Sequence, residues 1–250
     1  MTKDIVLGID IGGSGIKGAL VNIKTGELVS ERFRLETPQP ADPKNVTDTF
    51  IKVVEHFDYK GPIGCGFPAV MKKGVAFTAS NIHKDWIGTN AAELFSKASG
   101  CEVAVLNDAD VAGVAEVEFG VGAKVEGTII LITIGTGLGS AIFLDGKLLP
   151  NTEFGHVYLK GHKEVAERYA SNSARKRDDL KYEEWAARFK TYLEHLQFLF
   201  TPDLFILGGG ASKKYKKFDQ ILETIRTPIK TAEMLNEAGI IGAALSAIKR

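Results

Sequence analysis

Apolar positions along this chain fall in short, strand-length blocks separated by glycine and polar turns. Val6, Leu7, Ile9 and Ile11 form one such block, and Gly12-Gly13-Ser14-Gly15 interrupts it. Ala19 to Ile23 is again apolar and β-branched, followed by the polar Lys24-Thr-Gly-Glu27 and then Leu28-Val29. The pattern predicts strand, glycine turn, strand, polar turn and third strand over residues 4–29. Residues 128–149, "TIILITIGTGLGSAIFLDGKLL", repeat it. Ile11-Gly-Gly-Ser-Gly15 matches Ile134-Gly-Thr-Gly137 with one residue dropped. Two copies half a chain apart predict duplicated α/β halves.

Helical periodicity fills the intervals. Val46, Phe50, Val53, Val54 and Phe57 share one helical face, with Gly61 as the stop. A second helix is expected over 90–99, from a Thr89 cap to Gly100, and a third over 109–119, closed by Gly120. Trp185, Phe189, Leu193, Leu196 and Phe200 mark a long amphipathic helix before Pro202, its aromatics read as core, and residues 238–248 predict a last helix. "GPIGCGFPAV", "CEVAVLND" and "DLFILGGG" read as buried strands ending in polar or glycine residues. The class is mixed α/β, with domains expected at 1–108, completed by the C-terminal helix 238–250, and at 109–250. Ligands in such sheets gather beyond the carboxyl ends of the strands. That singles out Asp10, Asn107, Asp108, the Gly135-Thr136-Gly137 turn and Gly208-Gly209-Gly210, with a helix expected near Ala211.

Composition narrows the classes. The chain has 250 residues, 44% hydrophobic and 25% charged, enough for a substantial core. Its 31 basic and 31 acidic residues balance, which argues against a nucleic-acid partner. Cys65 and Cys101 form no C-x-x-C pair, which fits a reducing cytoplasm. The chain enters its first strand by about Ile5, leaving no room for a signal peptide, and no apolar run is long enough for a membrane span. Gly13-Ser-Gly15-Ile-Lys-Gly18 satisfies the G-x-G-x-x-G spacing, but that fingerprint needs a helix after its third glycine, and a strand is predicted there. No Walker loop exists in the chain. Glycine turns at strand ends, with isolated carboxylates, suit phosphate binding by backbone amides.

The motifs together carry a resemblance. Asp10-Ile-Gly12-Gly13-Ser14-Gly15, Gly135-Thr-Gly137 and Leu207-Gly-Gly-Gly210 resemble the two phosphate motifs and the adenosine motif of the actin-like ATPase superfamily. "NIHKDW" (Asn81–Trp86), "NDAD" (Asn107–Asp110) and "EFGH" (Glu153–His156) resemble the sugar-site motifs of the ROK family of sugar kinases. The match runs from Asp10 to about Ser212. Typical members carry a cysteine-rich zinc loop after the E-x-G-H motif, and here "GHVYLKGHKEVAERYAS" has no cysteine. The zinc-free pattern, with "AERYAS" aligning Glu167 to the glutamate after that loop, is most similar to the glucokinases that use inorganic polyphosphate. "KTGELVSERFRLETPQPADP" also looks like that subgroup.

The resemblance implies duplicated ribonuclease H-like domains with a cleft between them. It implies phosphoryl transfer from polyphosphate, with ATP as a second donor, to the 6-hydroxyl of glucose. Asp108 is then the general base. Asn81, Asn107, Asp108, Glu153, His156 and Glu167 bind the sugar. Asp10, Gly12, Gly13, Ser14, Gly15, Lys17, Thr136, Gly137, Gly208, Gly209 and Gly210 bind phosphate or nucleotide. Asp10 holds Mg²⁺ through water, zinc is not expected, and the enzyme is a cytoplasmic homodimer. Plainer readings stand beside these. Asp108 suits the N-cap of the helix after it, Asp10 a turn, Glu153 and His156 a surface pair, and Glu167 a solvated helix face. The basic runs Arg175-Lys-Arg177 and Lys213-Lys-Tyr-Lys-Lys217 read either as a polyphosphate track or as solvated faces. The alternatives left open are an ATP-only hexokinase or N-acylhexosamine kinase of the same family, a sugar-sensing regulator, and a nicotinamide-binding enzyme.

Overall fold

The computed structural model describes residues 4–80, 82–234 and 236–248. The chain forms two compact units, Met1–Ala115 with Asn236–Arg250, and Glu116–Leu235. In the first unit, β1 (Ile5–Gly12), β2 (Gly15–Asn22) and β3 (Phe33–Leu35) form an antiparallel meander. α1 (Pro43–His56) then leads to β4 (Ile63–Phe67), which joins β1 in parallel. The small hairpin β5 (Met71–Lys72) and β6 (Val75–Ala76) and α2 (Ala91–Ser99) precede β7 (Val103–Asn107), parallel to β4. The sheet order is β3-β2-β1-β4-β7, and α3 (Asp108–Glu118) follows.

The second unit repeats this plan. β8 (Thr128–Ile134), β9 (Leu138–Leu144) and β10 (Lys147–Leu149) are the antiparallel meander. α4 (Ala166–Ala170), α5 (Asn172–Arg177) and the 19-residue α6 (Tyr182–Phe200) lead to β11 (Leu204–Gly208), parallel to β8. After α7 (Gly209–Ser212) and α8 (Asp219–Leu222) comes β12 (Ile229–Thr231), parallel to β11. The order is β10-β9-β8-β11-β12, so the duplication predicted from the glycine hairpins extends to the whole sheet.

The chain ends in α9 (Ala238–Ser246), which packs on the first unit's sheet through glycine. Gly8 on β1 and Gly64 on β4 lie directly under the carbonyls of Ile240 and Ala243, and Gly242 under Val111 O of α3; a Cβ at any of the three would collide with backbone. Each unit has its own core. Phe50, Phe67, Trp86 and Phe95 anchor the first, and Trp185, Phe189, Leu193 and Phe205 the second. Trp185 and Phe189 of α6 are therefore core, as their spacing predicts, whereas Phe200, expected on the same face, is exposed at the end of the helix.

The strand after Gly15 is β2, so the helix a dinucleotide fingerprint requires is not there, and the nicotinamide reading falls. Three local expectations are corrected. The third strand of the first copy is not at residues 28–29, which supply only the bridge Val21–Leu28, but at Phe33–Leu35. Asn90 rather than Thr89 caps α2, because its Oδ1 accepts from Glu93 N at 3.1 Å while the Thr89 hydroxyl donates to Asp85 O. α1 stops at His56, before Gly61, with Asp58 at a φ of 43°.

Candidate active site

In the first unit the site grows from three strand ends. Asp10, near the end of β1, lies opposite Lys17 on β2, and Lys17 Nζ donates to Asp10 Oδ2 at 3.0 Å. Two glycines that sequence reasoning missed let other elements approach this carboxylate. A Cβ at Gly239, in the first turn of α9, would stand 2.8 Å from Asp10 Cγ, and one at Gly66 on β4 would stand 3.6 Å from Asp10 Oδ1 and 3.9 Å from Asp108 Cα. The positive end of a helix favours an anion there. Asp10 and Asp108, 98 residues apart in sequence, are thus gathered around the bare backbone of Gly66.

Asp108 opens α3, and Asn107 supplies the helix cap. Asn107 Oδ1 accepts from Ala109 N at 2.8 Å and from Asp110 N at 3.3 Å, while its Nδ2 donates to Ala69 O at 3.1 Å. Asn107 is buried; Asp108 is exposed, with Oδ1 accepting from Ala109 N at 2.8 Å. The plain reading of Asp108 as the cap belongs to its neighbour. Asn81 lies outside the described residues. The turn between β1 and β2 is Gly13-Ser14, both exposed, with Gly12 and Gly15 paired at its base.

In the second unit a carboxylate–imidazole cluster forms around a short 3₁₀ turn, Phe154–His156. His156 Nδ1 is 3.8 Å from Glu153 Oε2, and Nε2 is 3.7 Å from Glu167 Oε1. Glu153 and His156 meet across this turn, and Glu167 joins from α4. Ser140 on β9 fixes the turn: its Oγ donates to Thr152 O at 2.5 Å and accepts from Phe154 N at 2.9 Å. Gly155 allows this approach, since a Cβ there would strike Leu138 O. Burial raises the Glu153 pKa, with His156 opposing and Glu167 reinforcing the shift.

Glu167 also ties the cluster to the glycine turn of its own unit. Its Oε2 accepts from Leu138 N at 3.4 Å and abuts Gly137, where a Cβ would collide with it. Gly209, at a φ of 79°, crosses the backbone of Ile134, where a Cβ would lie 2.6 Å from Ile134 N. Gly208, Gly209, Gly210, Thr136 and Gly137 thus belong to adjoining turns at the ends of β11 and β8. The helix expected near Ala211 is α7. Below the cluster, the fully buried Tyr192 hydroxyl has no hydrogen-bond partner among the described residues, and its pKa is raised by burial and then by Glu167 and Glu153.

The basic runs are largely engaged. Arg175 donates to Asn172 Oδ1 and Leu180 O and lies over the Tyr182 ring, and Arg177 binds Asp178 and Arg168 O. Lys216 pairs with Asp219 at 3.3 Å, and Lys217 sits 5.7 Å from the Tyr182 ring centroid. No group of three His, Cys, Asp or Glu side chains suited to a metal ion occurs among the described residues, and no helix among them is long and apolar enough to cross a membrane.

Residues 6–177 match the ROK family. The chain is 46% identical over 242 residues to polyphosphate glucokinase of Mycobacterium tuberculosis (strain CDC 1551 / Oshkosh), covering 96% of this chain and 90% of that protein. The crystal structure of inorganic polyphosphate/ATP-glucomannokinase from Arthrobacter sp. strain KM superposes with a TM-score of 0.91 at 45% identity, over 98% of each chain. A ROK family glucokinase from Streptomyces griseus, solved in complex with glucose and AMPPNP, gives 0.80 at 25% identity over 96% of this chain and 98% of that one.

Proposed function

The chain belongs to the ROK family, in the mixed α/β architecture of actin-like ATPases, and on that premise we propose that it transfers a phosphoryl group from inorganic polyphosphate, and also from ATP, to the 6-hydroxyl of glucose. The observation that carries the reading is the nearly full-length likeness to polyphosphate glucokinase. Asp108 accepts the hydroxyl proton as O6 attacks the terminal phosphorus. The O6–P bond forms, the bridging P–O bond breaks, and the polyphosphate leaves one phosphate shorter. The cap at Asn107 supports this role, since α3 does not need the Asp108 carboxylate for that purpose.

Glu153, His156 and Glu167 take sugar hydroxyls, together with Asn81 and Asn107. The described bonds of Asn107 use both Oδ1 lone pairs and one Nδ2 hydrogen, so its second amide hydrogen is the group that meets a sugar hydroxyl. Polar groups fixed in this way discriminate because an analogue lacking a hydroxyl leaves them unpaired. The Gly12–Gly15 turn with Lys17, Thr136-Gly137 and Gly208–Gly210 bind the donor phosphates or nucleotide.

Mg²⁺ fits Asp10. The ion takes one or two carboxylates, keeps several waters and binds donor phosphates, so it needs no three-carboxylate cage. When bound it neutralises charge on the phosphoryl oxygens. A cytoplasmic homodimer completes the reading; the buried free thiols Cys65 and Cys101 suit a reducing compartment.

The test is a coupled assay of purified protein with glucose and each donor separately. Turnover with polyphosphate is expected. Turnover with ATP alone makes the protein an ATP-dependent hexokinase of the family. Sugar binding without turnover on either donor makes it a sugar sensor.

A further inference from the structure

Across the first unit's sheet, pairing sets four residues in one row: Gly66 on β4, Asp10 on β1, Lys17 on β2 and Arg34 on β3. Directly opposed residues of adjacent antiparallel strands project on the same face, so the Lys17 and Arg34 side chains are cross-strand neighbours. Like charges in that relation are destabilising. Asp10 balances Lys17, but no ion pair to Arg34 occurs among the described residues. Its described bond is to a neutral group: Nη2 donates to Ser14 O at 2.6 Å. The guanidinium lies over the turn so closely that a Cβ at Gly15 would stand 2.5 Å from Arg34 Nε.

The turn is also prepared for an anion on its other side. Thr37 Oγ1 donates to Gly12 O at 2.5 Å, so the carbonyls of Gly12 and Ser14, which would repel a phosphate, are both occupied by donors. Arg34 itself is exposed and carries a fork of five N–H groups, of which one bond to Ser14 O uses one. A cation held in place over a glycine turn, opposed to another cation and without an ion-pair partner among the described residues, is a site for an oxyanion.

Position within the row gives it a role. Asp108 borders Gly66 at one end. Arg34 stands at the other, three strand spacings or about 14 Å away. We propose that Arg34 binds donor phosphates remote from the one transferred, and so favours inorganic polyphosphate over a nucleoside triphosphate. This rests on the reading of the chain as a kinase using a phosphate-chain donor. A long chain occupies the whole row, whereas a triphosphate ends sooner and depends less on its far end.

The experiment compares the unmodified protein with Arg34→Met, which keeps the aliphatic stem and removes the charge, and Arg34→Lys, which returns a charge without the fork. KM is measured for long-chain polyphosphate, ATP and glucose, with thermal melting as a check on folding. Loss of one charge-assisted contact predicts a rise of about 10- to 100-fold in KM for polyphosphate with Arg34→Met. ATP is expected to change less than about threefold and glucose not at all, with Arg34→Lys in between. Unchanged polyphosphate KM overturns the proposal. An equal rise for both donors also overturns it, because Arg34 then only shapes the turn through Ser14 O. If Arg34→Met does not fold, Arg34→Lys decides by the same two criteria. If the unmodified protein shows no turnover with polyphosphate, the donor reading under Proposed function fails on its own. Equilibrium dialysis against polyphosphate then decides Arg34: weaker binding by the variants sustains it, and unaltered binding overturns it.

Discussion

The two glycine hairpins share a sheet order and differ in what flanks them. In β1/β2 the ladder runs to Gly12–Gly15 and closes on two residues; in β8/β9 it ends at Ile134–Leu138 and closes on three. The position of Asp10–Lys17 in the first hairpin corresponds to Thr133–Gly139 in the second, which carries no charge. The second turn instead leans on Glu167, and through it on His156 and Glu153. One fold was thus fitted with two chemistries. The first copy sets Lys17 and Arg34 in a row with Asp10, and Asp108 borders that row at Gly66. The second gathers the carboxylates of Glu153 and Glu167 around the His156 imidazole. Topology positions the turns, and the residues at the turns decide what they bind.

The sharpest way to break this division is Asp108→Asn. It keeps size and hydrogen bonding and removes the proton acceptor, so kcat should fall about 10²–10⁴-fold with sugar binding retained. A fall of less than tenfold would make Asp108 a structural residue. Glu167→Gln should act differently, raising KM for glucose by about 10- to 100-fold and lowering kcat much less. Loss of kcat at unchanged KM would move Glu167 into the chemistry and erase the contrast between the units.

A smaller effect bears on where the donor lies. Neutralising Lys214, Lys216 and Lys217 together should raise KM for polyphosphate less than about threefold, because ion pairs on a solvated face contribute little. A rise larger than that of Arg34→Met would make these lysines, rather than Arg34, the residues that hold the far phosphates. The smallest expected effect concerns Glu153. Burial raises its pKa above the ordinary 4.5, so the folded protein holds that proton more tightly than the unfolded chain. Its contribution to stability is then present below pH 4.5 and lost as pH rises through the raised value. Glu153→Gln should raise Tm at pH 7 slightly, on the order of 1 °C given its partial exposure, and the gain should vanish in acid. A melting profile unchanged across that range would mean that His156 fully offsets the burial.

Sequence by itself determined what depends on near neighbours. The two hairpins, the helix periodicities, the punctuation by glycine and the order of the motifs are all local patterns, and so were legible. The position of β3 was not, because Leu28-Val29 and Phe33–Leu35 are both apolar enough to pair and only the completed sheet selects between them. Tertiary structure alone decided that Gly66 and Gly239 make room around Asp10, that Ser140 holds the Phe154–His156 turn, and that Asn107 reaches across to Ala69 O while it caps α3. It alone set Arg34 beside Lys17. The physical reason is the same in each case: a glycine, a serine or an arginine reads as ordinary in the chain, and its role is set by which backbone, brought from tens of residues away, packs against it.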